Sequence, residues 1–496
     1  MNLVNQLADR ATEYPDRIAL IEDGREISYG DLYAHVQAGS RLLLEEGLKK
    51  GDCVLILQPI SIDLYIQLLA VLHAGISVMF IDPSAGKAMM QNSLRLHHPD
   101  GFIGVAKAHL LRLNLSEIRQ IKKKFHTRGW MPFSSKWQFS INPEDSISQP
   151  VEVEDDAPAL ITFTSGSTGM PKAACRTHGF LMAQHAALSG SLDFKEGEVD
   201  LITLPIFAIA NLASGMTSVI ANTDLRYPAR VDSAAITEQC IEHRVTRCAA
   251  SPAFFNKLYE DQSLPSFQTI YTGGAPVFPH LIDAIQRVYP KLNIVTVYGS
   301  TEAEPISHIA WNEVSVDDHK AMKSGKGLLV GVPVSATKVR IHKMRDDQVG
   351  QIAVTGDHVL KGYLNSKGDE ETKFKQDGEI WHLTGDMGYF DSKNRLWLMG
   401  RESAVFEIDD RVIYPFGIEC AVMHHPAVTC CAVVQHNGRN LLCLELSENN
   451  LDRVRRDFPN YDNLEFIQLE KIPKDKRHNA KVDYPSLTRL LNSLVT

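Results

Sequence analysis

The chain has few of the features that mark metal-binding, secreted or nucleic-acid-binding proteins. Its eight cysteines form no C-x-x-C pair, so neither a zinc motif nor a disulfide framework is indicated. Reduced thiols of this kind are typical of a cytoplasmic protein. Asp and Glu number 60 against 51 Lys and Arg, and the net charge of -9 argues against a general nucleic-acid partner.

Long apolar runs are also missing. The most apolar segment, residues 64–81, contains Gln67, His73 and Gly75, so it predicts a buried helix followed by a strand rather than a membrane span. The N-terminus carries acidic residues early and has no apolar core, which argues against a secretory signal. We therefore expect a cytoplasmic protein with no membrane span.

What is present is the alternation of helices and strands that is typical of an α/β protein. Residues 52–57 and 77–81 are predicted strands on either side of a helix. At 496 residues the chain is long enough for a large multi-lobed body with a smaller appendage. After residue 325, short strands separated by turn residues indicate a β-rich subdomain.

A second change of pattern near Gly400 indicates the domain organisation. We expect a large N-terminal domain at residues 1–400, a hinge linker at 401–405 and a small α+β C-terminal lid at 406–496. Within the lid, Asn437 and Gly438 between two apolar runs predict a β-hairpin, and leucines at helical spacing predict a closing helix.

One stretch combines the features of a phosphate-binding loop. A predicted buried strand at residues 159–163 precedes TSGSTGMPK at residues 164–172. Glycines let backbone N–H groups turn toward one point, hydroxyls donate hydrogen bonds, and Lys172 supplies a charge for oligophosphate oxygens. The spacing differs from that of the P-loop NTPases. A flexible surface loop is the alternative interpretation.

Two predicted strand ends carry further candidate residues. Residues 293–297 form an apolar strand that leads to Tyr298 and Glu302, at the kind of edge where ligand sites of α/β proteins gather. The predicted strand at 269–272 leads to Gly273 and Gly274, which permit close approach of a flat ligand or simply form a tight turn. By contrast, the basic residues 122–128 are predicted to be a solvated face.

Taken in order, these motifs resemble those of the acyl-adenylate-forming enzymes, the superfamily of acyl-CoA synthetases, peptide-synthetase adenylation domains and luciferases. The resemblance covers most of the chain. Its motifs are TSGSTGMPK, YGSTE at 298–302, GQIAVTG at 350–356, TGD at 384–386, Gly400 with Arg401, and Lys481. It implies that ATP and Mg²⁺ are used to activate a small-molecule carboxylic acid as an acyl adenylate, with release of pyrophosphate.

The resemblance also implies the catalytic residues. Glu302 corresponds to the magnesium ligand, which needs a hard oxygen donor, and Thr301 to the hydroxyl beside the α-phosphate. Lys172 belongs to the loop that handles the β- and γ-phosphates. Lys481 corresponds to the lysine that the lid brings to the carboxylate and the α-phosphate, although a solvated tail lysine is the default interpretation of such a residue.

The implied nucleotide site is larger. Asp386 corresponds to the residue that holds the ribose hydroxyls, and Arg401 to its companion, while Tyr298 would stack on adenine. The complete nucleotide-binding set is Thr164, Ser165, Gly166, Ser167, Thr168, Gly169, Lys172, Gly274, Ala275, Tyr298, Gly299, Thr301, Asp386 and Arg401.

The acid is expected to be apolar. Amino-acid-activating relatives usually place an Asp in the segment that here reads PIFAIANL at 205–212, because a buried ammonium needs a counter-charge. This chain has Phe207 and Ala208 there, and with Gly273 and Gly299 they are the candidate lining of an acyl or aryl pocket. A core strand that touches no ligand is the alternative.

Several departures from the family concern the acceptor of the acyl group. Ala404 stands at the hinge position, which is usually Asp or Lys, and residues 406–411 (FEIDDR) lack the Lys and Gly common in acyl-CoA synthetases. These changes put the use of coenzyme A in question. Residues 477–481 (RHNAK) resemble the β-lactone synthetases of bacterial olefin biosynthesis, which activate a 3-hydroxy acid. An ordinary acyl-CoA synthetase, a carrier-protein acyl ligase and a non-catalytic acyl- or nucleotide-binding module are the alternatives.

Overall fold

The computed structural model describes residues 1–141, 149–165, 171–366, 368–448, 450–475 and 481–494. It is a mixed α/β protein that divides into two compact units, Met1–Ala221 with Asp357–His382, and Asn222–Gly356 with Leu383–Thr496. The predicted fold class is confirmed. The predicted hinge at residues 401–405 divides the chain differently and stays a prediction.

Helices of the first unit alternate with its strands. Ser28 and Ser61 each begin a helix, since each side-chain oxygen accepts a backbone N–H from three residues further on. The helices of this unit are Asn5–Glu13, Tyr29–Glu45, Ile62–His73, Lys87–Leu96, Ala106–His109, Leu111–Asn114, Ser116–Gln120, His178–Leu192, Pro205–Ala213 and Asp369–Thr372, with short 3₁₀ turns at Pro83–Ala85 and Leu364–Ser366.

A seven-stranded sheet forms the core of this unit. Its order is Ser135–Lys136, Lys123–His126, Gly101–Gly104, Cys53–Leu57, Ser77–Phe80, Pro158–Ser165 and Pro171–Thr177. All neighbouring pairs are parallel except the last, which is antiparallel and places Thr164 opposite Lys172. The predicted phosphate loop therefore connects two paired strands at the edge of the sheet.

Two sequence interpretations are corrected here. Residues 122–128 are not a solvated face throughout, because Lys123–His126 is a strand of the sheet in which Phe125 and His126 are buried. The segment at 205–212 is not a core strand, since Pro205–Ala213 is a helix. Proline at the first helical position and eight further residues without glycine favour that helix.

The remaining strands of the first unit lie outside the seven-stranded sheet. Val199–Ile202 pairs with Thr217–Ile220, which pairs with Ile18–Glu22, and this strand pairs with Arg25–Ser28. Lys373–Gln376 pairs with the start of the long strand Glu379–Phe390, which runs into the second unit.

The second unit is built on a larger run of paired strands. In order they are Lys338–His342, Gly350–Thr355, Glu379–Phe390, Leu396–Arg401, Leu328–Pro333, Ala303–Ala310, Asn293–Ser300, Thr269–Gly273 and Arg247–Ala250. Neighbouring strands among the last three are parallel. The other neighbouring pairs whose residue register is described are antiparallel. The β-rich segment predicted after residue 325 is thereby confirmed.

Residues 406–494 of the second unit have a small α+β core. Val428–His436, Arg439–Leu446 and Glu465–Gln468 form a three-stranded sheet, joined first by the predicted turn, in which Asn437 and Gly438 both have positive φ. A separate hairpin pairs Phe406–Ile408 with Arg411–Ile413.

Helices of the second unit pack around these strands. They are Ser233–Glu242, Pro252–Glu260, Pro279–Val288, Val316–Lys323, Pro415–Val422, Leu451–Asp457 and Tyr484–Leu494, with 3₁₀ turns at Pro228–Arg230, Trp311–Glu313, Glu402–Ala404 and Pro459–Tyr461. The last α-helix is the predicted closing helix, and its Leu487 and Leu491 are buried against the three-stranded sheet.

Candidate active site

Three of the predicted residues, each on a different strand of the second unit, meet through their side chains. The Tyr298 hydroxyl donates to Oδ2 of Asp386 at 2.8 Å, and Nη1 of Arg401 donates to Oδ1 at 3.0 Å. Asp386 and Arg401 face each other across an antiparallel strand pair, and Tyr298 lies near the end of another strand, Asn293–Ser300. Each carboxylate oxygen still has a lone pair for a further donor, so the group fits the predicted contact with ribose hydroxyls.

The electrostatics of this cluster follow from its contacts. Burial, with the adjacent Asp386 carboxylate, raises the pKa of Tyr298 well above its ordinary value, so the phenol stays a hydrogen-bond donor. The Asp386 carboxylate raises the pKa of Arg401, with smaller contributions from Tyr298 and Glu302. Glu302 is therefore near enough to act on the same guanidinium.

Thr301 and Glu302 occupy the tip of a hairpin. Ser300 pairs with Ala303 across the turn, and the Glu302 N–H donates to the Ser300 hydroxyl at 3.3 Å. Both tip residues are half-buried. Among the described residues, no cluster of three or more His, Cys, Asp or Glu could hold a metal ion. A magnesium ion would fit here only with one protein carboxylate and the oxygens of a bound nucleotide, which is a common arrangement for this ion.

The glycines at these strand ends have different reasons to be glycine. At Gly273 a Cβ would lie 2.4 Å from the Val297 carbonyl oxygen of the next strand, so packing alone excludes a side chain. Gly299 is close to the Ala303 carbonyl oxygen, at 3.0 Å from its own would-be Cβ. Gly274 has a φ of +76° and open space around it, and Ala275 follows it half-buried. Gly274 and Ala275 are thus the members of the set with room for a ligand edge.

The predicted phosphate loop lies in the first unit. Thr164 and Ser165 end the strand before it, whereas Gly166, Ser167, Thr168 and Gly169 lie outside the described residues. Nζ of Lys172 makes an ion pair with Oε2 of Glu371 at 2.8 Å and lies 5.6 Å from the centre of the Tyr363 ring. The Lys172 charge is therefore paired with a carboxylate that a phosphate group would have to replace.

The candidate acyl-pocket residues Phe207 and Ala208 lie on the helix Pro205–Ala213 of the same unit. Both are buried. Gly273 and Gly299, the other two candidates, belong to the second unit.

Lys481 closes a loop of the second unit. The Asp475 N–H donates to the Lys481 carbonyl oxygen, and the Lys481 N–H donates to Oδ1 of Asp475, both at 2.8 Å. Lys474 and Val482 form a bridge beside them. The Lys481 side chain is exposed, and its ammonium has no partner among the residues that the structure describes. Residues 477–480 of the RHNAK motif lie outside those residues.

Sequence reasoning missed several contributors. The Thr384 carbonyl oxygen accepts from Arg401 at 3.1 Å, and Glu371 pairs with Lys172 from 199 residues away. The segment 406–411 was noted for lacking Lys and Gly, but its backbone was not predicted: Asp409 and Asp410 both have positive φ at the tip of the hairpin of residues 406–413.

Among the described residues, no helix is both long enough and apolar enough to span a bilayer. Of the eight free cysteines, all are buried except Cys175, which is half-buried.

Comparison with known proteins identifies relatives of the whole chain. An olefin β-lactone synthetase of Xanthomonas campestris is 28% identical, over 97% of this chain and 96% of that protein. A 2-succinylbenzoate–CoA ligase of Bacillus licheniformis is also 28% identical, over 86% of this chain and 85% of the ligase.

A solved structure has the same fold. The o-succinylbenzoate coenzyme A synthetase of Bacillus subtilis, in complex with ATP and magnesium ion, superposes with a TM-score of 0.76 at 22% identity, over 98% of this chain and 99% of that one. The model of the AMP-binding enzyme family matches residues 7–364, well over half of the sequence. The chain therefore belongs to the AMP-binding enzymes, and it is an adenylate-forming ligase.

Proposed function

We propose that this ligase activates an apolar 3-hydroxy acid as its adenylate and that the adenylate closes to a β-lactone. The observation that carries the proposal is the extent of the similarity to the olefin β-lactone synthetase, which covers 97% of this chain and 96% of the relative. The similarity to the succinylbenzoate–CoA ligase covers less of both proteins.

The first step needs positioned charge rather than covalent chemistry from the protein. A carboxylate oxygen of the acid attacks the α-phosphorus of ATP, and the bond to the bridging oxygen of the β-phosphate breaks as pyrophosphate leaves. Asp386 would hold the ribose through its two oxygens, Tyr298 and Arg401 would fix that carboxylate, and Lys172 would contact the β- and γ-phosphates. Their contacts within each unit support these roles.

Two further groups complete the proposed adenylation site. Glu302, with Thr301 beside it at the hairpin tip, would bind Mg²⁺ together with phosphate oxygens, and the ion would neutralise the leaving pyrophosphate. Lys481 would reach the carboxylate and the α-phosphate when residues 406–496 move about a hinge at 401–405. The exposed ammonium of Lys481, which has no partner among the described residues, supports this role.

In the second step the 3-hydroxyl oxygen attacks the acyl carbon, and the bond from that carbon to the phosphate oxygen breaks. AMP leaves, and the hydroxyl proton passes to solvent or to the released phosphates. The reaction gains from proximity, because nucleophile and carbonyl belong to one molecule, an advantage that can reach about 7–11 kcal/mol in well-oriented systems. No external acceptor is needed.

The hairpin tip supports the exclusion of coenzyme A. Asp409 and Asp410 are exposed there, at a position where the resembled acyl-CoA synthetases commonly carry Lys and Gly. Coenzyme A is a polyanion, so two carboxylates would repel it where a lysine would attract it. We propose that coenzyme A is dispensable.

The class of acid is indicated by the buried helix Pro205–Ala213. Phe207 and Ala208 offer no counter-charge for an α-ammonium, which favours an apolar acyl or aryl tail.

The cellular setting and the acceptor rest on other observations. The free cysteines fit a reducing cytoplasm. A carrier-protein thiol or an amine as acceptor is the second candidate, since adenylation would proceed in the same way.

The test compares matched acids of equal chain length that differ only in the 3-hydroxyl. Each acid is incubated with ATP and Mg²⁺, with and without coenzyme A, and the products are identified by mass. We expect the 3-hydroxy acid to lose water overall and release AMP and pyrophosphate equally well without coenzyme A. Efficient conversion of the unsubstituted acid to a CoA thioester would overturn the lactone proposal. Absence of pyrophosphate release with every acid would favour a non-catalytic binding module.

A further inference from the structure

The three most exposed large hydrophobic side chains among the described residues belong to one small region. Phe133 is 90% exposed, Trp130 80% and Leu113 76%, and Leu110 nearby is 55% exposed. We call these four residues the 110–133 patch. Single exposed apolar residues are ordinary, but a group that includes two fully projecting aromatic rings marks an interaction surface.

The topology brings the four side chains to one edge of the first unit. Residues 106–114 follow the strand Gly101–Gly104, and residues 127–134 follow its parallel neighbour Lys123–His126. The carboxyl ends of parallel strands meet at the same edge of a sheet. Nη1 of Arg112 donates to the Pro132 carbonyl oxygen at 2.9 Å, which joins the two segments directly.

The loop that carries the aromatic rings is anchored and strained. The Ser134 hydroxyl contacts Nδ1 of buried His126 at 3.0 Å and donates to the Met131 carbonyl oxygen at 2.9 Å. Phe133 has a φ of +56°, in the left-handed region that bulky residues rarely adopt. The anchored loop therefore holds the Phe133 ring in solvent, where 90% of the residue is exposed.

The charge around the patch is the reverse of that of the whole protein. Residues 106–139 contain eight Lys and Arg and a single acidic residue, Glu117, in a chain of net charge -9. Glu117 is buried and pairs with Arg95. Lys107, which follows the strand Gly101–Gly104, and Lys136, which is opposite His126, lie at the same edge as the patch. Both are exposed and have no carboxylate partner among the described residues. The patch thus lies in a basic segment, and at least two exposed lysines at the same edge are not paired with a described carboxylate.

We infer that the 110–133 patch docks the protein on the surface of an anionic lipid bilayer. Trp, Phe and Leu insert into the boundary between headgroups and acyl chains, and Lys and Arg near them attract anionic headgroups. A protein partner is less favoured, because the anchoring aromatics of protein interfaces act from well-packed surroundings, whereas these rings stand clear of their own surface. The docking is peripheral and does not depend on the proposed lactone chemistry.

Vesicle binding tests the inference with the full chain. The protein is sedimented with phosphatidylcholine vesicles, with and without phosphatidylglycerol, over a range of NaCl concentrations. We expect binding to the anionic vesicles only, which weakens as salt rises. The double variant Trp130→Ser/Phe133→Ser should lower the partition coefficient by about tenfold or more. Lys107→Glu should lower it by about fivefold or more, since it reverses one charge at the edge that carries the patch.

A matched control separates the patch from general stickiness. Ile241 and Val316 are 70% and 71% exposed in the second unit, so Ile241→Ser/Val316→Ser removes similar apolar area elsewhere. The control should bind as the wild type does. ATP-dependent pyrophosphate release with a short soluble acid should be equal in all variants, which shows that they are folded.

Three outcomes would overturn the inference. The first is no binding of the wild type to anionic vesicles. The second is equal loss of binding in the control and in the patch variants. The third is a wild type that self-associates or captures an acidic protein through the patch while it ignores vesicles, because the surface would then be a protein interface.

Discussion

Asp386 and Glu419, two carboxylates of the second unit, are held in opposite ways. Asp386, within the strand Glu379–Phe390, accepts hydrogen bonds from the Tyr298 phenol and the Arg401 guanidinium, and the Arg401 side chain is 51% exposed. Glu419 lies on the helix Pro415–Val422, is 2% exposed, and accepts the Val433 N–H at 3.0 Å. One carboxylate is paired with a cation, and the other is enclosed in a core.

The difference shows how the second unit divides its work. A paired carboxylate with spare lone pairs is ready to bind donors of a ligand. A buried carboxylate without a cation is costly when charged, so burial raises the pKa of Glu419 to about 7. The cluster of Tyr298, Asp386 and Arg401 is therefore expected to bind the nucleotide, and residues 406–494 are expected to act as a folded support for Lys481. Substitutions at Lys481, Glu419, Asp386 and Asp410 test that division.

Removing the proposed lid lysine should break catalysis and leave binding. Lys481→Ala is expected to lower the rate of pyrophosphate release by about 10²–10³-fold, since a positioned charge on the transition state is lost. ATP affinity, measured by titration, should change less than about twofold, because the contacts among Tyr298, Asp386 and Arg401 remain. Lys471→Ala, at another exposed lysine of the same region, is the control and should behave as the wild type. A large loss of ATP affinity in Lys481→Ala would refute the division.

The buried Glu419 carboxylate should make the stability of the protein depend on pH. The pKa of Glu419 is raised from 4.5 to about 7 by burial, so the native state binds more protons than the unfolded state between these values and stability falls as pH rises through them. Glu419→Gln removes that dependence. Relative to wild type it should gain about 3 kcal/mol of local stability on going from below pH 4.5 to above pH 7.

Hydrogen exchange of the strand Val428–His436, corrected for intrinsic rates, measures this local stability. The exposed Glu470 gives a matched control, because Glu470→Gln should leave the pH dependence unchanged. Equal pH profiles for wild type and Glu419→Gln would show that Glu419 is charged at neutral pH, and the contrast with Asp386 would disappear.

The sequence pointed to the three residues of the cluster and not to the enclosed carboxylate, and the reason is physical. Tyr298, Asp386 and Arg401 lie in short motifs whose residues have to be specific, so each was identified without a structure. Their mutual contacts were not predicted, because Tyr298 and Asp386 are 88 residues apart and meet only through strand packing. Glu419 was missed, since an isolated Glu is normally a surface residue and only the tertiary structure shows its burial.

Fold elements followed the same rule. The apolar runs at 64–73 and 159–163 predicted elements that the structure has as the helix Ile62–His73 and the strand Pro158–Ser165, since a run of buried apolar residues is visible in the local sequence. The basic run at 122–128 led to a wrong prediction, because lysines usually indicate an exposed segment. Strands on both sides of Lys123–His126 in the sheet cover Phe125 and His126, which are buried. Which of two opposed local signals prevails is decided by neighbours that are distant in sequence.

Substitution of Asp386 should have a smaller effect on ATP affinity, and the effect should depend on the ribose hydroxyls of the ligand. Asp386→Ala is expected to weaken ATP binding by about 10–100-fold, since each hydrogen bond to a charged acceptor is worth about 1.5–3 kcal/mol. An ATP analogue without ribose hydroxyls sharpens the test. It should bind the wild type as weakly as ATP binds Asp386→Ala, and the variant should no longer distinguish the two ligands. Continued discrimination by the variant would assign the ribose to another group.

Substitution of Asp410 is expected to have the smallest effect. Asp410 is a third carboxylate of the second unit, and it is neither paired nor buried. It is exposed at the tip between Phe406–Ile408 and Arg411–Ile413, with a φ of +61°, and has no hydrogen bond or ion pair with the described residues. Asp410→Ala should be less stable than Asp410→Gly by about 1 kcal/mol in urea unfolding, because a Cβ is strained in the left-handed region and glycine is not. Neither variant should change ATP affinity, since this carboxylate belongs to neither the nucleotide edge nor the core. If Asp410→Ala weakened ATP binding as much as Asp386→Ala does, the hairpin would have to be counted as part of the nucleotide site, and the separation of binding from support within the second unit would not hold.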